Sequence, residues 1–296
     1  MTIVVPHPAV KRGGRQRLAA RRQPESATPS RITVPLGSAA ALGCGHVQFA
    51  IPQICAPELM AAVEAALDGA FLATFVPDPL LGPGLSQLGS VLASMVKRHG
   101  GLIEAAITDV LERSGRYIVL RNVAMPITVP TQELVRASSV AQLNQTSIEL
   151  AGAVAQSVFL DLIVVDRKES RAIIAEVKRG SEKNEARKIH QVEWVLRCAQ
   201  VQGRSFLTSL GYEVAQIRAV LIDVYGRAGY GDDLTVSGPA IDQLFATPVL
   251  AALDTVTAAL QARLRAAVPD LLTMALASLA VPENAKYPHS PGPLAP

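Results

Sequence analysis

Cysteine is scarce in this chain: Cys44, Cys55 and Cys198 are the three thiols among 296 residues. So few and so widely spaced, they exclude a disulfide scaffold and a four-cysteine zinc site, and leave the role of small core residues. Also missing is any run approaching the roughly 20 uninterrupted apolar residues that a bilayer-crossing helix needs. Nothing resembles a secretory signal, since the short apolar start MTIVV gives way at once to prolines and then charge. No internal repeat is visible. These absences predict a globular protein of the cytoplasm with no membrane partner, and nothing in the composition asks for an organic cofactor.

What is present is enough apolar residue for a substantial core, 49% of the chain, at a length where one core begins to give way to two domains. The formal charge of +3 is unevenly spread. Lys11 to Arg31 holds seven basic residues against Glu25 alone, so the rest of the chain is net acidic. Residues 1–34 are rich in Arg, Gly, Pro and Ser and read as a basic tail able to meet polyanions. Residues 281–296 form a Pro-rich tail of no evident chemistry. Between them, 35–95 reads as a helical N-terminal region and 96–280 as an α/β domain, with the segment GGLIEAAITDVLERSG at 100–115 as a helix carrying Glu104 beside its apolar face. YIVLRNVAMPI follows as a strand.

The chemistry is concentrated between Asp161 and Gly180, DLIVVDRKESRAIIAEVKRG. VFLDLIVVD and RAIIAEVK are β-rich runs separated by the polar RKES, which predicts an antiparallel hairpin. With the turn centred near Lys168, residues whose numbers sum to 336 or 337 lie opposite one another, so Asp161 falls beside Ala175 or Glu176 and Lys178 lies just beyond. Two carboxylates at that distance stay ionised together only around a cation. Mg²⁺ suits them, since it takes carboxylate, carbonyl and water oxygens, and Mn²⁺ can substitute. The Val177 carbonyl, between the two ligand positions, is a third oxygen donor, and the Lys178 ammonium can orient an attacking water and offset charge on a phosphoryl group.

Asp161 followed by Glu176-Val177-Lys178 on the adjacent strand resembles the PD-(D/E)xK nuclease superfamily, and the order helix, three strands, helix, strand over about 98–226 is similar to its core. The resemblance implies an α/β fold with a restriction-endonuclease-like core, a central mixed β-sheet flanked by helices, to which this chain adds its helical N-terminal region. It implies a Mg²⁺-dependent deoxyribonuclease of restriction type, with Asp161, Glu176, Lys178 and Glu104 catalytic and Asp161, Glu176, Val177 and Glu104 around the metal. A recombination or repair exonuclease, a junction resolvase, and a nucleic-acid-binding or assembly protein on a nuclease-like fold are the alternatives. Leu160 stands where many members have proline, and residues 128–157 form an insertion between the first two strands.

DNA is the expected partner, and homodimerisation stays open. From Arg167 to Arg204 ten basic residues face five acidic ones, and Lys183, Arg187, Lys188 and Gln191 on the following helix are candidates for phosphate contact. That helix is expected to begin near Ser181. In the insertion, Gln142, Asn144 and Gln145 offer paired donors and acceptors to base edges. Some relatives place a Tyr four residues after a Gln on this helix; here Gln191 is followed by Val195, with Trp194 between.

Overall fold

The structure, a computed structural model, describes residues 55–73 and 75–279. The basic segment 1–34, Cys44 and the Pro-rich segment 281–296 lie outside the described residues. The elements are α1 (Pro57–Phe71), α2 (Gly82–Arg113), β1 (Tyr117–Thr128), α3 (Val129–Ala137), α4 (Val140–Leu143), β2 (Val154–Asp166), β3 (Arg171–Lys178), α5 (Ala186–Ser209), β4 (Gln216–Asp223), β5 (Thr235–Ser237), α6 (Pro239–Phe245) and α7 (Val249–Leu279). The five strands form one mixed sheet in the order β1-β2-β3-β4-β5, antiparallel up to β3 and parallel from β3 onward. α5 is the crossover that makes β4 parallel to β3.

Both faces of the sheet are covered, which is why β3 and β4 read as nearly continuous apolar runs rather than alternating ones. Leu162, Val164, Ile173, Ala175 and Val177 pack with Ile103 and Ile107 of α2 and with Leu253 and Val256 of α7. On the opposite face Ile163, Val165, Ala172 and Ile174 pack with Leu196, Ala199 and Phe206 of α5. The expected helix at 100–115 is the second half of a longer one, because α2 runs unbroken from Gly82 through Gly100 and Gly101. Two glycines cost a helix interior about 1 kcal/mol each. Burial of Met95, Leu102, Ile103 and Ala106 on either side of them outweighs that penalty. The helix therefore passes through position 95, where the sequence pattern suggests a division.

The hairpin between β2 and β3 has the register its turn dictates. Leu162 faces Ala175 and Asp166 faces Arg171. Ser170 closes the turn with a left-handed φ of 46°. Asp166, buried at the strand end, accepts from the backbone N–H of Lys168 at 2.9 Å and from the Arg116 side chain at 2.5 to 3.1 Å. Burial alone would raise the Asp166 pKa, but these donors outweigh it and hold the carboxyl below its ordinary value. Asp166 is a structural charge.

The segment between β1 and β2 folds against α5 through one buried amide. Gln202 is fully buried; its Oε1 accepts from the Thr131 hydroxyl at 2.5 Å and from Thr128 N and Oγ1 at 3.3 Å, while its Nε2 donates to Pro126 O at 2.5 Å. This fixes the start of α3 relative to α5, and so one wall of the groove described below. Gln202→Leu keeps the volume but strips partners from Thr128, Thr131 and Pro126 together. It should cost about 3 kcal/mol, read as a lower urea midpoint at unchanged slope.

Candidate active site

β2 has two halves. Residues 162–166 pair with both neighbours, whereas the N-terminal half pairs with β1 alone, so the sheet forks just before Leu162. Asp161 stands at the fork. The register, continued one residue beyond Leu162 and Ala175, places Glu176 across from it. The Asp161 carboxylate then takes the place of the missing strand, its Oδ2 accepting the Val177 N–H at 2.9 Å. A strand residue turns its N–H and C=O to the same side, so the Val177 carbonyl also looks into the fork.

The other side of β2 is irregular at the same point. Arg121 faces Leu162 and Val123 faces Leu160, but Asn122 and Asp161 between them form no ladder pair, and Asn122 has a φ of 51°. Side-chain parity inverts there. Ile163 and Val165 point into the α5-side core, and beyond Asp161 it is Leu160 that does so; on β1, Ile118 and Leu120 hand over to Val123 and Met125 in the same way. A left-handed Asn inside a strand stores strain and exempts Asp161 from the pleat. Its side chain can therefore turn to the fork while both flanking leucines stay buried.

Glu176 and Lys178 share the face that period two predicts and form an ion pair, Nζ to Oε1. Glu104, half-buried on α2, lies within electrostatic reach of Asp161, Glu176, Lys178 and Arg121. Burial, and then the Asp161 charge, raise the Glu104 pKa to about 7. Burial also pushes the Glu176 carboxyl up; Lys178 pulls it back, and Asp161 pushes it up again. Burial works against the Lys178 ammonium, but the Glu176 carboxylate outweighs it and raises its pKa. Three carboxyls thus share too little positive charge. Such a set takes up protons, or a cation.

Among the described residues no three Asp, Glu, His or Cys side chains are gathered as a ready metal cage. The donor chemistry nevertheless fits a hard, partly hydrated cation such as Mg²⁺: two carboxylates, the Val177 carbonyl and a third carboxyl on a helix, the remaining positions being water. Glu176 would have to turn from Lys178 to join.

Two further groups belong to this site. Arg121 is the cation with the largest influence on Glu104, ahead of Lys178, and the pair Arg121-Asn122 that interrupts an apolar strand is its signal in the sequence. Tyr230, 7% exposed, carries a buried hydroxyl without a hydrogen-bond partner among the described residues, close enough to Lys178 and Glu176 to feel both charges. The loop that brings it there is tied down by Asp223, which accepts Gly226 N at 2.9 Å and Ala228 N at 2.7 Å. Gly180, two residues after Lys178, has a φ of +66°, and a Cβ there would meet Asp223 Oδ1 at 1.6 Å. Only glycine allows the chain to leave β3 past that carboxylate.

The expected nucleic-acid contacts divide. Lys188 and Gln191 line a groove of about 400 Å³ that ends at Glu176 and Lys178. Arg187 is exposed on α5 outside that lining, and the Lys183 stem lies against Gly229. Asn144 and Gln145 line a separate pocket with Gln200 and Arg204. Gln142 caps a helix, its Oε1 accepting Ser139 N at 2.8 Å and the Ser139 hydroxyl at 2.9 Å. α5 begins at Ala186 rather than near Ser181, because residues before it are drawn to the following loop by Asn184 N donating to Ala228 O at 3.1 Å.

Comparison with family models, with curated proteins and with solved structures finds no match to this chain. Among the described residues no helix is long and apolar enough to cross a membrane.

The Glu104 carboxyl gives a test independent of any activity. Its folded pKa lies above its unfolded one, so the folded state binds more protons between the two, and stability falls as pH rises from about 4.5 through about 7. Glu104→Gln removes this dependence. The variant should be more stable than the parent at pH 8 and no more stable at pH 4.5, by urea unfolding at each pH.

Proposed function

We propose that the chain is a Mg²⁺-dependent deoxyribonuclease with a restriction-endonuclease-like core, hydrolysing DNA phosphodiester bonds. One observation carries the reading: Asp161, Glu176 and Lys178 come together where β2 leaves β3, with Val177 held between them by the Asp161 carboxylate. Asp161, Glu176 and the Val177 carbonyl would hold the metal, with Glu104 assisting from α2. When bound, Mg²⁺ supplies the positive field without which three carboxylates repel a phosphodiester, and acidifies water at the site.

The protein's own groups do the rest. Asp161 fixes Val177 and so the spacing of the donor oxygens. Lys178, released from Glu176, donates to the phosphoryl oxygen where charge accumulates and positions the attacking water in line with the departing 3′ oxygen. Lys188 and Gln191 meet the flanking phosphates. A second reading, a DNA-binding protein without hydrolysis, is favoured by the closed Glu176–Lys178 pair, which occupies both side chains.

Hydrolysis of linear, circular and single-stranded DNA with Mg²⁺, Mn²⁺ or EDTA, beside Glu176→Ala and Lys178→Ala, separates the two. Glu176→Ala should abolish metal-dependent cleavage. Lys178→Ala should lower it about a hundredfold or more while metal binding, measured by calorimetry, persists. Equal cleavage by Glu176→Ala and the parent would overturn the mechanism, and a parent that binds but cleaves nothing would install the second reading.

A further inference from the structure

The groove at the carboxylates does not stop at α5. Gln156 and Gln191 line both the space that ends at Glu176 and Lys178 and an adjoining one of about 490 Å³ bounded by Arg136, His190 and Trp194. One wall is the edge of β2 that β3 leaves unpaired beyond the fork, and the other is α5. Phe159, on that free edge two residues from Asp161, is 71% exposed. Glu176 is the one acidic residue in the two linings, against Lys178, Lys188 and Arg136.

A duplex presents phosphates and base-pair edges to such a groove, and neither makes use of an indole or a phenyl face. An unpaired strand presents both its phosphates and its base faces, and aromatic platforms interleaved with cations are what such a strand binds. The two glutamine side chains add donors and acceptors along the path without demanding one base.

We propose that this groove binds an unpaired DNA strand, with Trp194 as the stacking platform on the α5 wall and Phe159 at the free edge of β2, so that the favoured substrate is single-stranded or carries a single-stranded segment at the cleavage point. This rests on the nucleic-acid reading of the carboxylate site, but binding and hydrolysis fail separately.

Trp194 is the sole tryptophan of the chain, so its emission reports this groove alone. The full chain is titrated in EDTA with a twelve-residue oligodeoxythymidine and with a blunt duplex of equal length. The expected result is that the single strand quenches the emission and shields it from acrylamide, whereas the duplex does neither. Trp194→Ala should lower single-strand affinity about tenfold relative to duplex affinity, with Trp194→Phe restoring most of it. Single-strand binding that leaves the emission unchanged, or equal quenching by the duplex, overturns the proposal even if the variants misfold. Quenching in a protein that hydrolyses nothing leaves the groove standing and removes the nuclease.

Discussion

The hydrogen bond from Val177 N–H to Asp161 is the constraint on which the rest of the site depends. A sheet that forks leaves backbone groups on β3 without a strand to pair with, and buried N–H groups are costly unless satisfied. Asp161 answers that demand with a side chain. By doing so it brings an ionised oxygen to the edge of β3, beside Glu176 and facing the Val177 carbonyl, while leaving the second half of β2 free to form a groove wall. The left-handed Asn122 is the corresponding concession in β1: the strand pair changes parity there, so that a charged residue can sit at the fork without exposing Leu160 or Leu162.

Electrostatics follows from that placement. Three carboxyls approach one another from two strands and a helix, and the balancing side chains among the described residues are Lys178 and Arg121, one of them already paired. The upward shifts at Glu104 and Glu176 are the same fact seen from the protons: the fold has assembled more negative charge than it neutralises. Protein stability alone gives no reason for this, since a like-charge cluster is a cost that a surface glutamine or serine would avoid. Contrast Asp166, five residues along the same strand, which is more deeply buried yet held below its ordinary pKa by Arg116 and two backbone donors. The end of β2 resolves its charge and the middle of the strand keeps it.

How much of this could be seen in the sequence depends on the distance over which the chain must act. The Asp161, Glu176 and Lys178 arrangement is legible because one polar turn, RKES, fixes the register of two adjacent strands. The mixed sheet flanked by helices is legible because strand and helix periods alternate. Gln202 and Tyr230 are not, since each acquires its meaning from partners 70 or 50 residues away that no local pattern names. The span of α2 through Gly100-Gly101 is decided by packing against the sheet and α7 rather than by propensity. Asn144 and Gln145 have the right chemistry for base edges, but the fold gives them a pocket of their own, apart from the carboxylates.

The groove and the fork arise from the same break in the β2–β3 ladder. A sheet with β2 paired along its whole length would place β3 residues against the edge where Gln156 and Phe159 now stand, and α5 would close over a continuous surface. By ending the β2–β3 ladder at Leu162, the chain obtains a corner of converging carboxyls and an open channel from one interruption. The channel's apolar content is then informative. Phe159 has no part in the core on that side, which is filled by Leu196, Ala199 and Phe206, whereas Trp194 packs against that core and is half-buried. Burial in the free protein does not account for a 71% exposed phenylalanine beside a buried leucine. The unpaired strand proposed above would account for it, since an unstacked base offers a flat apolar face.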